Sequence, residues 1–356
     1  MARQFKQQFQ IGHFSIGTGK PLVIAELSGN HSQSFDTALA MIDAAHEAGV
    51  DAIKLQTYTA DSMTLDSEHS DFVIGEKDSL WAGAKLHTLY QKAATPYEWH
   101  MPLFEHAQAK GLLAFSSPFD EDAVHFLDGL GVPCFKIASF ELTDIPLIAC
   151  AASKKKPLIM STGMASLEEI EEAVDTAYAH GCRELVLLKC TSTYPATPEN
   201  TNLVTMPDIQ KRFGCSVGLS DHTRGIGVAI ASVALGACVV EKHFVLDRNA
   251  GGVDAEFSLE PAEFKLLAEE TQRAWQAQGE VTYGGTLAEQ NSKRYRRSIY
   301  VSENIKKGEL FTRKNLKIVR PAMGLAPKYF NEILGKTAEC DLQKGQAMDW
   351  TFVDKP

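Results

Sequence analysis

The sequence has no run of about 18 apolar residues, so no membrane-spanning helix is expected. Its opening, MARQFKQQFQIGHFSIG, lacks the apolar centre of a secretory leader, and a cytoplasmic location is expected. The seven cysteines are odd in number and scattered, without any C-x-x-C. Cys134, Cys182, Cys190 and Cys238 fall in or near apolar runs. They read as reduced core residues, which argues against a disulfide framework and a cysteine zinc site. Positive charge is also short: 35 Lys and Arg face 45 Asp and Glu, a net charge of −10. That balance disfavours nonspecific binding to nucleic acid or anionic membranes, but a locally basic pocket can still take an anionic substrate. No G-x-G-x-x-G follows the first apolar run, so nothing points to a dinucleotide fold.

What is present is a rhythm. After a preamble of about 20 residues, which reads as a hairpin around His13, eight apolar runs alternate with helix-like stretches. The runs are PLVIAEL, DAIKLQTY, LLAFSSPF, CFKIASFE, PLIMSTG, ELVLLKCTSTY, CSVGLSDH and CVVEKHFVLD. They are continuously hydrophobic, as strands buried on both faces of a parallel sheet are. Eight β/α units in about 250 residues suit a TIM (β/α)8 barrel; a doubly wound open sheet is the runner-up. Residues 1–280 form this domain, with its short N-terminal extension. Residues 281–356 have a different texture, with short runs, turns at Lys307-Gly308 and Lys344-Gly345 and little helix, and read as a small β-rich domain. One interval, Thr59–Pro96, is too long for an ordinary βα loop. With its acidic residues and the pair Leu80-Trp81, it is expected to fold over the mouth as a lid or substrate-binding loop.

Barrel chemistry sits at the C-terminal ends of the strands. There the runs offer Glu26, Lys54, Gln56, Lys136, Ser139, Glu141, Ser161, Ser192 and Tyr194. The stretch Val217–Asp247 adds Ser220, Asp221 and His222, then Glu241, Lys242 and His243. Charges inside apolar runs are costly unless paired or used. Any one of them is as well explained by a structural ion pair. Two Lys with several Ser hydroxyls make a phosphate and carboxylate pocket. Two His make an incomplete metal site, open to water or a substrate oxygen, able to polarise a carbonyl. Buried Glu can serve as general acid or base. Together they suggest a phosphorylated carbon nucleophile adding to an aldehyde. A phosphosugar aldolase or a metal-dependent isomerase fits the same spacing.

In order along the chain, IAELSGNH, AIKLQTYTAD, FSSPFD, FKIASFELTD, STGMAS, CTSTYP, GLSDHT and EKHF resemble the sialic acid synthases. These condense phosphoenolpyruvate with an N-acylated aldose. The segment NIKKGE…LKIVRPAMG…LGK…DLQKG resembles the antifreeze-like (SAF) domain that they carry. The resemblance spans about residues 15–354. SLWAGAKLHTLYQKAATPYEWH and AELSGNHSQS look most like the pseudaminic acid branch, whose acceptor is 2,4-diacetamido-2,4,6-trideoxy-L-altrose. N-acetylneuraminate and legionaminate synthases are the alternatives, and a noncatalytic sugar-binding protein is the remote one.

The resemblance implies roles for individual residues. His222 and His243 would bind a divalent metal, usually Mn2+, with Mg2+ or Co2+ able to serve. Lys54, Lys136, Ser139, Ser161, Ser192 and Ser220 would hold phosphoenolpyruvate. Glu26 would be a general acid/base, and Glu241 would sit beside the metal and its water. Gln56, Glu141, Tyr194 and Asp254 would bind the sugar. Arg320 would reach the sugar in a partner's barrel, making the protein a domain-swapped homodimer. Ser192 departs from the family, which often has Asn there; a hydroxyl can still donate to phosphate but reaches less far.

Overall fold

The structure, a computed structural model, describes residues 3–75 and 81–354. Leu80 of the Leu80-Trp81 pair therefore lies outside the described residues. The chain divides into two units, Met1–Gly279 and Glu280–Pro356.

The first unit starts with a small antiparallel hairpin, β1 (Phe9–Ile11) and β2 (Phe14–Ile16). His13 stands in its turn beside Gly12, which has φ +56°. A Cβ on Gly12 would come within 2.6 Å of Leu113 Cδ2, so only glycine lets the turn approach the start of a barrel strand. Gln7 donates to the Gly214 carbonyl, just before another strand begins. The hairpin thus covers the N-terminal end of the barrel and leaves the other end free.

The elements then alternate as the pattern requires: β3 (Leu22–Glu26), α1 (Phe35–Glu47), β4 (Ala52–Thr57), α2 (Ala60–Met63), α3 (Leu86–Ala93), α4 (Tyr97–Ala109), β5 (Leu113–Pro118), α5 (Glu121–Gly129), β6 (Phe135–Ile137) and α6 (Ile145–Ser153). The rest are β7 (Leu158–Ser161), α7 (Leu167–Ala179), β8 (Leu185–Cys190), α8 (Thr205–Phe213), β9 (Ser216–Asp221), α9 (Gly227–Ala234), β10 (Val239–His243) and α10 (Pro261–Gln278). Helix starts carry their own signals. Ser34, Asp120 and Asp144 accept the orphan N–H groups of α1, α5 and α6. Ser166 and Glu169 close a capping box on α7.

Strands β3 to β10 are all parallel and close into a barrel, in the ring order β10-β3-β4-β5-β6-β7-β8-β9. The open-sheet alternative is excluded. In β3, β5, β7 and β10 every residue is buried, which explains why the runs are continuous rather than alternating. The long interval contains α2 and α3, and an isolated antiparallel bridge joins Val73 to Lys85.

The second unit has its own core around Ile299, Phe311, Leu316, Leu342 and Met348. Among the described residues its regular strands are two, β11 (Ser298–Val301) and β12 (Leu316–Val319), paired antiparallel. Isolated bridges such as Ile305↔Leu342 and Leu310↔Thr337 supply the rest of its β pairing. Both Lys-Gly turns place glycine at positive φ, +85° at Gly308 and +90° at Gly345. No helix among the described residues is long and apolar enough to cross a membrane.

Candidate active site

Strand alternation decides which side chains meet. In β9 and β10, Ser220 pairs in register with Glu241, and Asp221 with Lys242. Asp221 and Lys242 form a pair of their own at 2.7 Å, with side chains 1% and 0% exposed. Lys242 also donates to the Thr223 carbonyl at 2.6 Å. They are therefore structural, although they share the motifs. Their neighbours Ser220, His222, Glu241 and His243 belong to the other set.

The half of the site that carries the lysines comes from β3, β4, β6, β7 and β10. Lys54 lies 2.7 Å from Glu26 Oε2 and 3.6 Å from Glu241 Oε1, and donates to Ser117 at 3.2 Å. Lys136 is 1% exposed and donates to Ser161 Oγ at 2.7 Å and to the Ile137 carbonyl at 2.9 Å. Among the described residues no carboxylate pairs with it directly. Burial, with the Lys54 charge adding, pulls its pKa below the usual lysine range, and Glu241 opposes this only in part. A buried ammonium without its own counterion is a standing invitation to an anion. Beside it, Ser139 and Ser192 hydroxyls stand 2.8 Å apart. They meet over Gly163, whose φ is +50° and whose Cβ would fall 2.5 Å from Ser139 Cβ. The glycine of STGMAS is thus needed for both its conformation and the close approach.

The other half is aromatic and imidazole. The His222 and His243 ring centroids are 5.3 Å apart. His222 Nδ1 lies 2.9 Å from the Thr191 carbonyl. A carbonyl only accepts, so Nδ1 carries the proton and Nε2 presents a lone pair. Burial holds His243 well below the usual histidine pKa, with His222 and Lys54 adding, so its ring is neutral. Its Nδ1 is buried without a hydrogen bond, though Asp254 Oδ2 lies 3.5 Å away. Burial also disfavours a charged His222, but Cys190 and the Thr191 carbonyl draw its pKa upward, so acid would compete for that ring. Two imidazoles presenting nitrogen lone pairs fit a divalent cation that keeps open positions. Among the described residues no cluster of three or more His, Cys, Asp and Glu could hold a metal, so this is not a closed structural site.

The carboxyls split. Burial raises Glu26 to about 7, with Glu241 adding, while Lys54 and Gln56 work against it. Burial also disfavours a charged Glu241, but Lys54, Lys136 and His222 hold it below the usual carboxyl range. One group can carry a proton near neutrality and the other stays ionised, the arrangement that acid–base work needs. Glu141 is raised to about 7 by burial. Of the seven buried side-chain N and O atoms without a hydrogen bond among the described residues, four lie here: Glu26 Oε2, Glu141 Oε2, Glu241 Oε2 and His243 Nδ1. Of these, Glu26 Oε2 does have the Lys54 charge beside it. Unspent polar atoms gathered at one place mark a site built for a ligand.

The barrel therefore gathers the candidates. Gln56 donates to Glu26 at 2.9 Å, and Ser220 to Glu241 at 3.3 Å. Tyr194 packs on His222 with centroids 4.6 Å apart. Asp254 accepts from Ser28, and its backbone N–H donates to Asn30 Oδ1 at 3.1 Å. Arg320 is exposed on the second unit, directly after β12. Several neighbours were not singled out for roles. Phe257 packs on His243 at 4.9 Å and on Tyr194 at 5.2 Å. Cys190 Sγ lies 3.7 Å from Ser192 and 4.0 Å from His222. Cys190 was legible, since it opens CTSTYP; Phe257 ends a three-residue 3-10 turn, Ala255–Phe257, too short to carry a pattern.

Residues 41–283 match the NeuB family, and residues 296–353 match the SAF domain. A pseudaminic acid synthase of Campylobacter jejuni subsp. jejuni serotype O:2 is 45% identical over 339 residues, covering 95% of this chain and 98% of that one. An N,N'-diacetyllegionaminic acid synthase of the same organism is 38% identical, covering 90% and 96%. The crystal structure of an N-acetylneuraminic acid (sialic acid) synthetase from Leptospira borgpetersenii serovar Hardjo-bovis, in complex with citrate, superposes with a TM-score of 0.72. It is 32% identical and covers 81% of this chain and 96% of that one.

Proposed function

This chain belongs to the NeuB family, and we propose that it is a pseudaminic acid synthase, joining phosphoenolpyruvate to 2,4-diacetamido-2,4,6-trideoxy-L-altrose. The observation that carries the reading is the pairing of two half-sites in one barrel mouth. Lys136, buried with Ser161 and with no carboxylate partner among the described residues, lies on one side, and the His222–His243 pair on the other.

Lys54, Lys136, Ser139, Ser161, Ser192 and Ser220 take the phosphate and carboxylate of phosphoenolpyruvate. Their charges and hydroxyls are fixed by the strands, so little reorganisation is needed as charge shifts. His222 and His243 hold a divalent cation, Mn2+ being our first choice. When bound, it supplies Lewis-acid polarisation of the acceptor aldehyde. C3 of phosphoenolpyruvate bonds to the aldehyde carbon, water adds at C2, and the C2–O bond breaks to release inorganic phosphate. Glu26, able to hold a proton near neutrality, gives or takes it at the reacting atoms, and ionised Glu241 stabilises the positive charge that develops at C2. Gln56, Glu141, Tyr194 and Asp254 orient the sugar. The reading extends to a cytoplasmic homodimer in which Arg320 of each chain reaches the other chain's acceptor.

The test is incubation of the purified protein with phosphoenolpyruvate, Mn2+ and a panel of aldoses, following phosphate release and product mass. Turnover of the altrose above all others is expected. Absence of phosphate release with the altrose overturns the assignment, and preference for a legionaminate or N-acetylneuraminate precursor moves it within the family. Light scattering on the purified protein should give twice the chain mass; a monomer removes the role of Arg320.

A further inference from the structure

The interval between β4 and α4 contains described residues that reach two walls of the barrel. In the ring of strands, β4 and β8 are four positions apart, so they are diametrically opposed. Directly after β4, Tyr58 is 3% exposed. It makes an edge contact with Tyr90 of α3 at 5.8 Å and with Phe119 at 5.2 Å. After β8, Tyr194 stands against His222 and meets Trp81 with centroids 6.1 Å apart. Tyr90 and Trp81 both belong to the interval. Residues 81–90 therefore cross the mouth and supply an aromatic ring to each of two opposite walls. Lys85 fastens this crossing, with Asp66 at 2.8 Å and Glu68 at 2.5 Å.

Trp81 has a second attachment. Its indole N–H donates to the Val253 carbonyl at 3.2 Å. Val253 precedes Asp254, which stands 3.5 Å from His243. The indole thus sits beside Tyr194 and next to the loop of Asp254, on the imidazole side of the pocket. With its N–H engaged by a backbone carbonyl, the means by which it could recognise a substrate is the ring rather than the N–H. Ring surface is suited to methyl groups and ill-suited to hydroxyls, which would lose water there without a partner.

We propose that Trp81 is a specificity-determining residue that selects acceptors carrying acylamino and deoxy groups in place of hydroxyls. This rests on the functional reading above. The acceptor named there has two acetamido methyls and a terminal methyl, where a simple N-acylhexosamine has one acetamido methyl and more hydroxyls. The indole packs on those methyls, and Tyr194 continues the same wall toward His222.

The experiment compares full-length wild type, Trp81→Ala and Trp81→Phe in steady-state rates. The acceptor is varied at saturating phosphoenolpyruvate and the converse, with N-acetylmannosamine as the competing aldose. Loss of apolar contact to one or two methyls corresponds to roughly tenfold or more in selectivity. Trp81→Ala should raise the acceptor KM by about that factor and narrow the preference over N-acetylmannosamine, with the phosphoenolpyruvate KM within about twofold of wild type. Trp81→Phe keeps a ring, loses the bond to Val253, and should recover most of the acceptor affinity. An unchanged acceptor KM in Trp81→Ala overturns the proposal. So does an equal rise in both KM values, which a misfolded mouth would give. If Trp81→Phe is as impaired as Trp81→Ala, the tether to Val253 is the active feature and the ring is not. A wild type that prefers another diacetamido aldose overturns the assignment of the altrose alone, and the Trp81 comparison is then made on that sugar. A wild type that prefers N-acetylmannosamine overturns both.

Discussion

Glu141→Gln separates what the active site needs from what the fold needs. Glu141 stands after β6, where burial raises its carboxyl from the ordinary value of 4.5 to about 7. Its Oε2 is buried without a hydrogen bond. The folded pKa lies above the unfolded one, so the folded state binds the proton more tightly. The contribution to stability is full below pH 4.5 and is lost as the pH rises through 7. Integrating the two titrations from about pH 5 to about pH 8.5 gives a loss of roughly 2.5 kcal/mol at 1.36 kcal/mol per unit. The residue keeps some exposure, which lowers the figure to about 2 kcal/mol.

Glutamine has the same shape and does not titrate. Its amide brings a constant cost of its own, so the useful quantity is the change in the difference between the two proteins across pH. Thermal unfolding of wild type and Glu141→Gln, without substrate, should show the variant gaining about 2 kcal/mol relative to wild type between those pH values. For a unit of this size that is about 4 °C in Tm. In the same variant the acceptor KM should rise about tenfold or more if the carboxylate accepts a hydrogen bond from the sugar. A Tm difference that stays constant with pH refutes the claim that Glu141 is held protonated by burial. A pH-dependent Tm difference with an unchanged acceptor KM keeps the electrostatics and removes the sugar contact.

Lys136→Met should be inactive and yet more stable by about 1 kcal/mol or more, because it replaces a buried ammonium with no paired carboxylate by an apolar chain; Tm with and without phosphoenolpyruvate checks both halves, since the ligand should raise the wild-type Tm alone. Asp221→Asn should destabilise by about 3–5 kcal/mol, because it strands the fully buried Lys242. Denaturant titration of Asp221→Asn against the double variant Asp221→Leu/Lys242→Met should show much of that cost restored. Gly163→Ala should cost about 1–2 kcal/mol for its positive φ and, by displacing Ser139, raise the phosphoenolpyruvate KM more than the acceptor KM; rates with each substrate varied decide.

The barrel was legible because buried parallel strands leave continuous apolar runs, and eight such runs admit few arrangements. Its buried charges were legible for a related reason. A Lys or Glu inside such a run, such as Lys54, Lys136 or Glu241, has no benign explanation without a partner. What the runs could not display is which face each residue takes within a motif. SDH and EKH look uniform as text, but the two-residue period of a strand sends Asp221 and Lys242 into a pair of their own. It leaves Ser220, His222, Glu241 and His243 to meet across the strands. Loop residues carry no such period. Phe257 and the attachment of Trp81 to Val253 became visible only when β8, β10 and the long interval were brought to one mouth. In the proposed reading the two lysines assigned to phosphoenolpyruvate, Lys54 and Lys136, lie inside strands, whereas Trp81, assigned to acceptor choice, lies between them in the chain on a turn. The proposed reaction class is therefore readable from charges inside apolar runs, and acceptor choice has to be sought in contacts such as those of Trp81.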